Sequence, residues 1–320
     1  MPYAFDAGIL QAMMALSSSA GRAPLAPAAR DDWKTLRANQ QAASPFFSAA
    51  LPEHAEVSRT DYSAASHDGV QVELRWFAPE GHDATGSGPA VVFLHGGGMI
   101  MGSVEQDDRF IAAYAAESGV PVLAVDYRLA PEHPHPDPVE DCYAGLAWLA
   151  AHASDLGVDP GRIALMGESA GGGLAAGTAL LARDRGPAVA RQILIHPMLD
   201  DRNTVPDPAL APFTLWSYDD NYTGWHALLG ERLGTGDVPA PAAPARALDL
   251  AGLPAAYLEV GGLDIFRDED IEFARRLAAA GVPVELHVHP GCPHGFDLIA
   301  PGADVARRAR ADRLRAMTSY

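Results

Sequence analysis

The sequence predicts an α/β fold, a mostly parallel sheet with helices on both faces, and three observations carry that prediction. From about residue 70 onward, short apolar runs alternate with segments whose apolar residues recur at helical spacing. Glycine-rich turns follow two of the runs, at His95-Gly96-Gly97-Gly98 and at Gly167-Glu168-Ser169-Ala170-Gly171-Gly172-Gly173. The composition, 48% hydrophobic and 20% charged over 320 residues, is that of a globular chain able to bury a large core. Regular β–α alternation builds a parallel sheet because parallel neighbours need a crossover connection.

Residues 1–54 carry a helical pattern with no sheet partner in sight. Val70–Phe77, Ala90–Leu94 and Val120–Val125 read as strands, and Asp137–Ala153 as a helix with Val139, Tyr143, Leu146, Ala147, Leu149 and Ala150 at helical spacing. A strand at Ile163 leads into the second glycine-rich turn, a helix of small residues follows Ser169, and Gln192–Ile195 is the next strand. Residues 200–247, rich in Pro, Asp and aromatics, separate two strands that should be neighbours. Insertions of this length at the C-terminal end of a strand serve as lids or binding elements. We therefore group 1–54 with 200–247 as a cap, leaving 55–199 and 248–320 as the two parts of the core. Ala255–Val260 is a strand, followed by a helix over Asp268–Ala280. Asp268, Glu269 and Asp270 complement that helix's dipole, with Asp268 and Asp270 expected at the surface, and Gly281 stops it. Val282–Val288 is the last strand and Ala303–Met317 an Arg-rich closing helix.

Composition narrows the function. A formal net charge of −18 argues against nucleic acid or an anionic membrane as partner. Lys34, the only lysine, follows Trp33 and lacks the glycines of a Walker A loop. The third residue after Ser169 is Gly172, so no Ser-x-x-Lys nucleophile exists. Cys142 and Cys292 make no disulfide framework, though a single bridge stays open. Met1–Ala20 is apolar but lacks a basic start and carries Asp6, so an amphipathic helix is expected rather than a signal peptide. No apolar run reaches the length of a membrane span, and a reduced, cytoplasmic setting is the expectation.

The order strand, Gly-x-Ser-x-Gly, helix forces Ser169 into a strained turn that holds its Oγ out, above a helix N-terminus. An acyl-transfer serine needs a base, an orienting acid and donors for the oxyanion. The backbone N–H groups of Gly97, Gly98 and Ala170 are the candidate donors, since His95–Gly98 leaves the strand Ala90–Leu94 at the sheet's C-terminal edge. His294, in Pro293-His294-Gly295-Phe296 just past the last strand, is the candidate base. His287 and His289 alternate on that strand, but no third ligand of recognisable spacing accompanies them, and no metal is expected. His133 and His135 lie among prolines, and His196 and His226 have no partner pattern. Asp264 falls between serine and histidine, after a strand, and is the candidate that orients His294.

With those residues in place, nearly the whole chain resembles the hormone-sensitive-lipase-like family of bacterial esterases, within the α/β-hydrolase fold. His95–Gly98 and Gly167–Gly171 resemble its two signatures, and Asp126-Tyr127-Arg128-Leu129-Ala130-Pro131-Glu132-His133 resembles a structural segment after the next strand. Asp264–Glu269 and His294–Phe296 resemble its acid and histidine motifs. The resemblance implies an eight-stranded sheet under a helical cap and hydrolysis of short-chain carboxylic esters through an acyl-enzyme on Ser169, with no cofactor. Members of that family often pair through the last strand and closing helix, here Val282–Val288 and the segment after Ala303, which leaves a homodimer open. Two positions depart from the pattern: Glu168 where the family usually has Asp, and Met99 where it commonly has an aromatic. A thioether at Met99 is expected to reshape the pocket wall, which Phe46, Phe47, Trp216, Tyr218, Tyr222 and Trp225 are candidates to line. An amidase or lactonase using the same residues, a true lipase with a mobile lid, and a non-catalytic binding relative are the alternatives.

Overall fold

The computed structural model describes residues 3–18, 26–49 and 51–320. The parts of the expected cap at 1–2, 19–25 and 50 lie outside the described residues. Eight strands form one sheet: β1 (Ser58–Ala65), β2 (Gln71–Ala78), β3 (Gly88–Leu94), β4 (Val122–Asp126), β5 (Val158–Glu168), β6 (Arg191–Ile195), β7 (Ala255–Gly261) and β8 (Val284–His289). Their spatial order is β1-β2-β4-β3-β5-β6-β7-β8. The β1–β2 and β2–β4 pairs are antiparallel and the remaining pairs parallel, giving the expected α/β sheet.

The two-residue period of the strands distributes side chains between two cores. Ala90, Val92 and Leu94 of β3, with Leu123 and Val125 of β4, enter one cluster; Val91, Phe93, Val122 and Ala124 enter the other. Helices cover both: α1 (Ala7–Ser18), α2 (Trp33–Ala49), α3 (Asp108–Ser118), α4 (Asp137–Ala151), α5 (Ala170–Arg185), α6 (Tyr218–Leu229), α7 (Arg267–Ala279), the short α8 (Phe296–Ile299) and α9 (Asp304–Thr318). Among the elements that escaped the sequence reading are β1 and α3. β1 is a largely polar edge strand, so it has little apolar periodicity to detect. α3 is buried along Phe110–Ala115 and carries no amphipathic stripe.

The insertion is latched at its base and packed on the N-terminal segment. Buried Asp201 accepts from Arg246 at 2.5 and 2.8 Å and from the N–H of Gly234 at 2.8 Å. A reciprocal Ser217–Asp220 capping box starts α6. Asp31 meets His226 at 2.6 Å, and its N–H donates to the Thr223 hydroxyl at 2.9 Å, bringing the start of α2 against α6. Arg37 of α2 reaches the carbonyls of Ile100 and Ala130 at 2.7 and 3.1 Å.

One expectation needs correction. Asp268 is exposed, but Asp270 is fully buried and neither of its carboxyl oxygens has a hydrogen-bond partner among the described residues. Its place on the inner face of α7, beside buried Phe273 and Ala274, outweighs the dipole argument that put it at the surface. Glu269 also turns inward, accepting from the N–H groups of Leu199 and Asp200 and from Asn203, and so fastens the insertion to the core. Cys142 and Cys292 are both buried and unpaired.

Candidate active site

β5 ends at Glu168 and α5 begins at Ala170, so Ser169 alone makes the turn, at φ 54° and ψ −119°. A non-glycine residue there is strained and persists only when its surroundings fix it. They do: the Ser169 N–H donates to Ile195 O at 2.9 Å, and its carbonyl accepts from Met198 and Gly173 at 2.9 and 3.1 Å. A Cβ on Gly171 would lie 2.0 Å from Leu94 O, so only glycine lets α5 approach β3 this closely. His294 Nε2 lies 2.9 Å from Ser169 Oγ, and its Nδ1 lies 2.6 Å from Asp264 Oδ2. A carboxylate only accepts, so Nδ1 carries the ring proton and Nε2 is free to take the serine's. Asp264 is fully buried, and its Oδ1 accepts from Phe266 N–H at 3.0 Å.

The loop after β3 faces this serine. Gly97 sits at φ +119°, and a Cβ on it would lie 2.1 Å from Met101 O. Its carbonyl accepts from the N–H groups of Ile100 and Met101, both at 3.1 Å, which closes the turn. The N–H groups of Gly97, Gly98 and Ala170 have no hydrogen-bond partner among the described residues. Tyr127 holds the base of the loop: its hydroxyl donates to His95 O at 2.8 Å and its ring stacks on His95 with centroids 4.1 Å apart. The Asp126–His133 segment thus acts on the loop structurally.

Comparison with known proteins gives the family. The model of a family described as "alpha/beta hydrolase fold" matches residues 91–298. Esterase LipI of Mycobacterium tuberculosis is 39% identical over 249 residues, covering 77% of each chain. The chain belongs to the α/β-hydrolase fold family, in its hormone-sensitive-lipase-like branch. It is a carboxylic ester hydrolase. An ethyl acetate hydrolase of Pseudomonas putida is 34% identical over 249 residues, covering 74% of this hydrolase and 75% of the relative. The solved structure of a bacterial heroin esterase superposes with a TM-score of 0.88 at 40% identity, covering 98% of this chain and 97% of that one.

A cavity of about 480 Å³ opens above Ser169 in this hydrolase. Phe47 and Trp216 line it, together with Gln40, Ala43 and Ser48 of α2. Met99 does not line it: at φ +66° its side chain points inward, is fully buried, and Met101 takes the wall instead. Phe46 is not among the lining residues; it is 45% exposed and packs edge-on against Phe47. Tyr222 is also absent from the wall, its ring carrying the Arg30 guanidinium at 4.5 Å. Tyr218 and Trp225 are buried in the core.

Two residues that shape the site, His196 and Arg313, had no recognisable motif, whereas Glu168 lies inside the Gly167–Gly171 signature. His196, directly after β6, lines the cavity with its ring 4.5 Å from that of His294; burial pushes its pKa down to about 3, so it stays neutral. Its position at the C-terminal end of a strand was the available signal. Glu168 is buried and accepts from the Tyr114 hydroxyl at 3.2 Å; burial pushes its pKa up to about 8, against the pull of Arg313. Arg313 of α9 is fully buried, donating to Glu259 at 2.5 and 2.8 Å and to Asp297 at 2.5 Å. Elsewhere, His287 does gain carboxylate neighbours, Glu285 and Asp312, which spacing did not reveal, but Arg315 binds both.

Proposed function

We propose that Ser169, His294 and Asp264 form the catalytic triad of this ester hydrolase and that Gly97, Gly98 and Ala170 form its oxyanion hole. The observation that carries the reading is the unbroken line Asp264–His294–Ser169, at 2.6 and 2.9 Å, ending beside three N–H groups without partners among the described residues. His294 takes the Ser169 proton as Oγ attacks the ester carbonyl, and the oxyanion rests on the three N–H groups. His294 then protonates the leaving alcohol. Water, activated by the same ring, releases the acid from the acyl-enzyme and restores Ser169.

We read α2 together with residues 200–247 as a cap over the cavity, a reading supported by Phe47 and Trp216 in its wall. The cavity's modest size and the names of the relatives support short acyl chains. Two free, buried cysteines fit a reducing, cytoplasmic setting. β8 is an edge strand with Leu286 and Val288 36% and 38% exposed, which supports pairing of two copies along it. The test of the triad is a panel of p-nitrophenyl esters of increasing acyl length, run on wild type and Ser169→Ala. Acetyl and butanoyl esters should be the best substrates, and the variant should lose roughly 10⁴- to 10⁶-fold in kcat. Near-normal turnover by Ser169→Ala overturns the triad, and preference for long-chain emulsified esters overturns the pocket reading.

A further inference from the structure

The cavity over Ser169 is lined by both apolar and acidic residues. Phe47, Leu51 and Met101 supply apolar wall, whereas Asp107, Glu168 and Asp297 bring carboxyl groups to the same space. These acids come from three elements: the residue capping α3, the end of β5 and the first turn of α8. Asp107 and Asp297 both disfavour charge on Glu168, so the three converge.

The hydrogen-bonding capacity of Glu168 and Asp107 is largely unused. The Asp297 side chain, 10% exposed, is engaged by Arg313 through Oδ2, and its Oδ1, without a partner among the described residues, is buried away from the cavity. Glu168 is exposed to the same 10% and takes one hydroxyl, from Tyr114, on Oε1. Asp107 makes no capping bond from its side chain. The nearby cations are already engaged: Arg310 is bidentate to Glu117 at 2.7 and 2.9 Å, and Arg313 is shared between Glu259 and Asp297. Burial pushes Glu168 up to about 8, against the pull of Arg313, and Asp107 up to about 7, so full charge on both is disfavoured near neutrality. A buried acceptor without a donor is costly, and a charged donor is its strongest partner.

We infer that this hydrolase takes esters bearing a protonated amine a short spacer away from the ester group, the ammonium resting on Glu168 and Asp107. The inference rests on the triad reading, because the spacer is set by the adjacency of Glu168 and Ser169. A directly bound metal ion fits less well. Among the described residues, the trios whose ligand atoms gather within 4.8 Å lie elsewhere. The apolar wall suits the carbon framework of an organic cation.

The probes are 2-(dimethylamino)ethyl butanoate, protonated at pH 7, and 3-methylbutyl butanoate, which has the same shape without the charge. Calorimetry on Ser169→Ala reads binding of each, and wild-type kcat/KM reads turnover. The amine ester should bind at least about tenfold tighter than its isostere, the gain expected of a charge-assisted hydrogen bond. Adding Glu168→Gln or Asp107→Asn to Ser169→Ala should bring the two esters close to parity, with thermal melting confirming the fold of each double variant. Equal binding of the two esters, or a preference that survives both substitutions, overturns the inference. Turnover of either ester by Ser169→Ala overturns the triad instead, so the two failures are read separately.

Discussion

Replacing Asp264 by asparagine tests which nitrogen of His294 carries the ring proton. The two oxygens of Asp264 have separate tasks: Oδ2 takes the Nδ1–H of His294 at 2.6 Å, and Oδ1 takes the Phe266 N–H at 3.0 Å. Because the Phe266 N–H only donates, the asparagine must keep its oxygen there and turn its NH₂ toward His294. Nδ1 then has to accept, the ring proton moves to Nε2, and the nitrogen facing Ser169 Oγ at 2.9 Å can no longer take the hydroxyl proton. The substitution is isosteric, so the fold and the oxyanion loop persist. A site with its donors but no base should lose about 10⁴-fold in kcat, the loss known for the same change in the serine-protease triad, or about 5 kcal/mol of transition-state stabilisation. Initial rates on p-nitrophenyl butanoate from pH 6 to 10, with circular dichroism as a fold control, measure it. The residual rate should climb with hydroxide. A loss under tenfold in a folded variant removes Asp264 from the role and turns attention to Asp270, which is buried and without a hydrogen-bond partner among the described residues.

Three further outcomes follow from the structure. Asp270 is held well above its ordinary pKa by burial, with Glu269 and Asp264 adding repulsion, so the folded state keeps a proton that the unfolded chain loses above about pH 4. Stability at this position is therefore present in acid and lost as pH rises, and Asp270→Asn should flatten the decline in urea midpoint between pH 5 and pH 8; an unchanged slope counts against the assignment. Arg313→Met leaves Glu259 and Asp297 without their buried partner and should cost about 3–5 kcal/mol in denaturant unfolding, with under 1 kcal/mol contradicting it. Gly97→Ala places a Cβ 2.1 Å from Met101 O at a φ of +119°, which should displace the loop and lower kcat by about 10²–10³-fold with little change in melting temperature; normal turnover would show that these donors are not used.

Sequence reading succeeded where chemistry demands a local pattern. The elbow at Ser169 and the loop at Gly97 impose backbone contacts that only glycine tolerates, and those glycines are visible as spacing. The β–α alternation is equally visible, because the central strands β3 to β7 carry near-continuous buried apolar runs set between helical segments. What stayed hidden depends on three-dimensional packing. Asp270 and Glu269 look like any acidic helix start, and only the tertiary position of α7 decides which way each turns. Phe46 and Phe47 are adjacent aromatics of one helix, yet only Phe47 reaches the cavity. The inward turn of Met99 follows from its left-handed backbone, which nothing in its neighbours announces. Arg313 lies more than fifty residues from Glu259 in the chain, and a long-range ion pair leaves no periodic trace.

Arg313 also explains how Glu168 can occupy its position. A longer acid than the family's usual aspartate reaches past the elbow toward α3 and α9, where the Tyr114 hydroxyl meets it at 3.2 Å and Arg313 lies 3.8 Å away. That same guanidinium binds Glu259 of β7 and Asp297, three residues after His294 in the chain. One buried cation in the closing helix therefore joins the residue before the nucleophile, the strand leading toward the acid, and the turn that follows the base. Shortening Glu168 to aspartate should withdraw its carboxyl from Tyr114 and Arg313 while leaving the Ser169–His294 contact intact. Ester turnover should then survive in Glu168→Asp while selectivity for the amine-bearing ester declines. Equal losses on the charged and neutral esters would instead make Glu168 a support for the elbow alone.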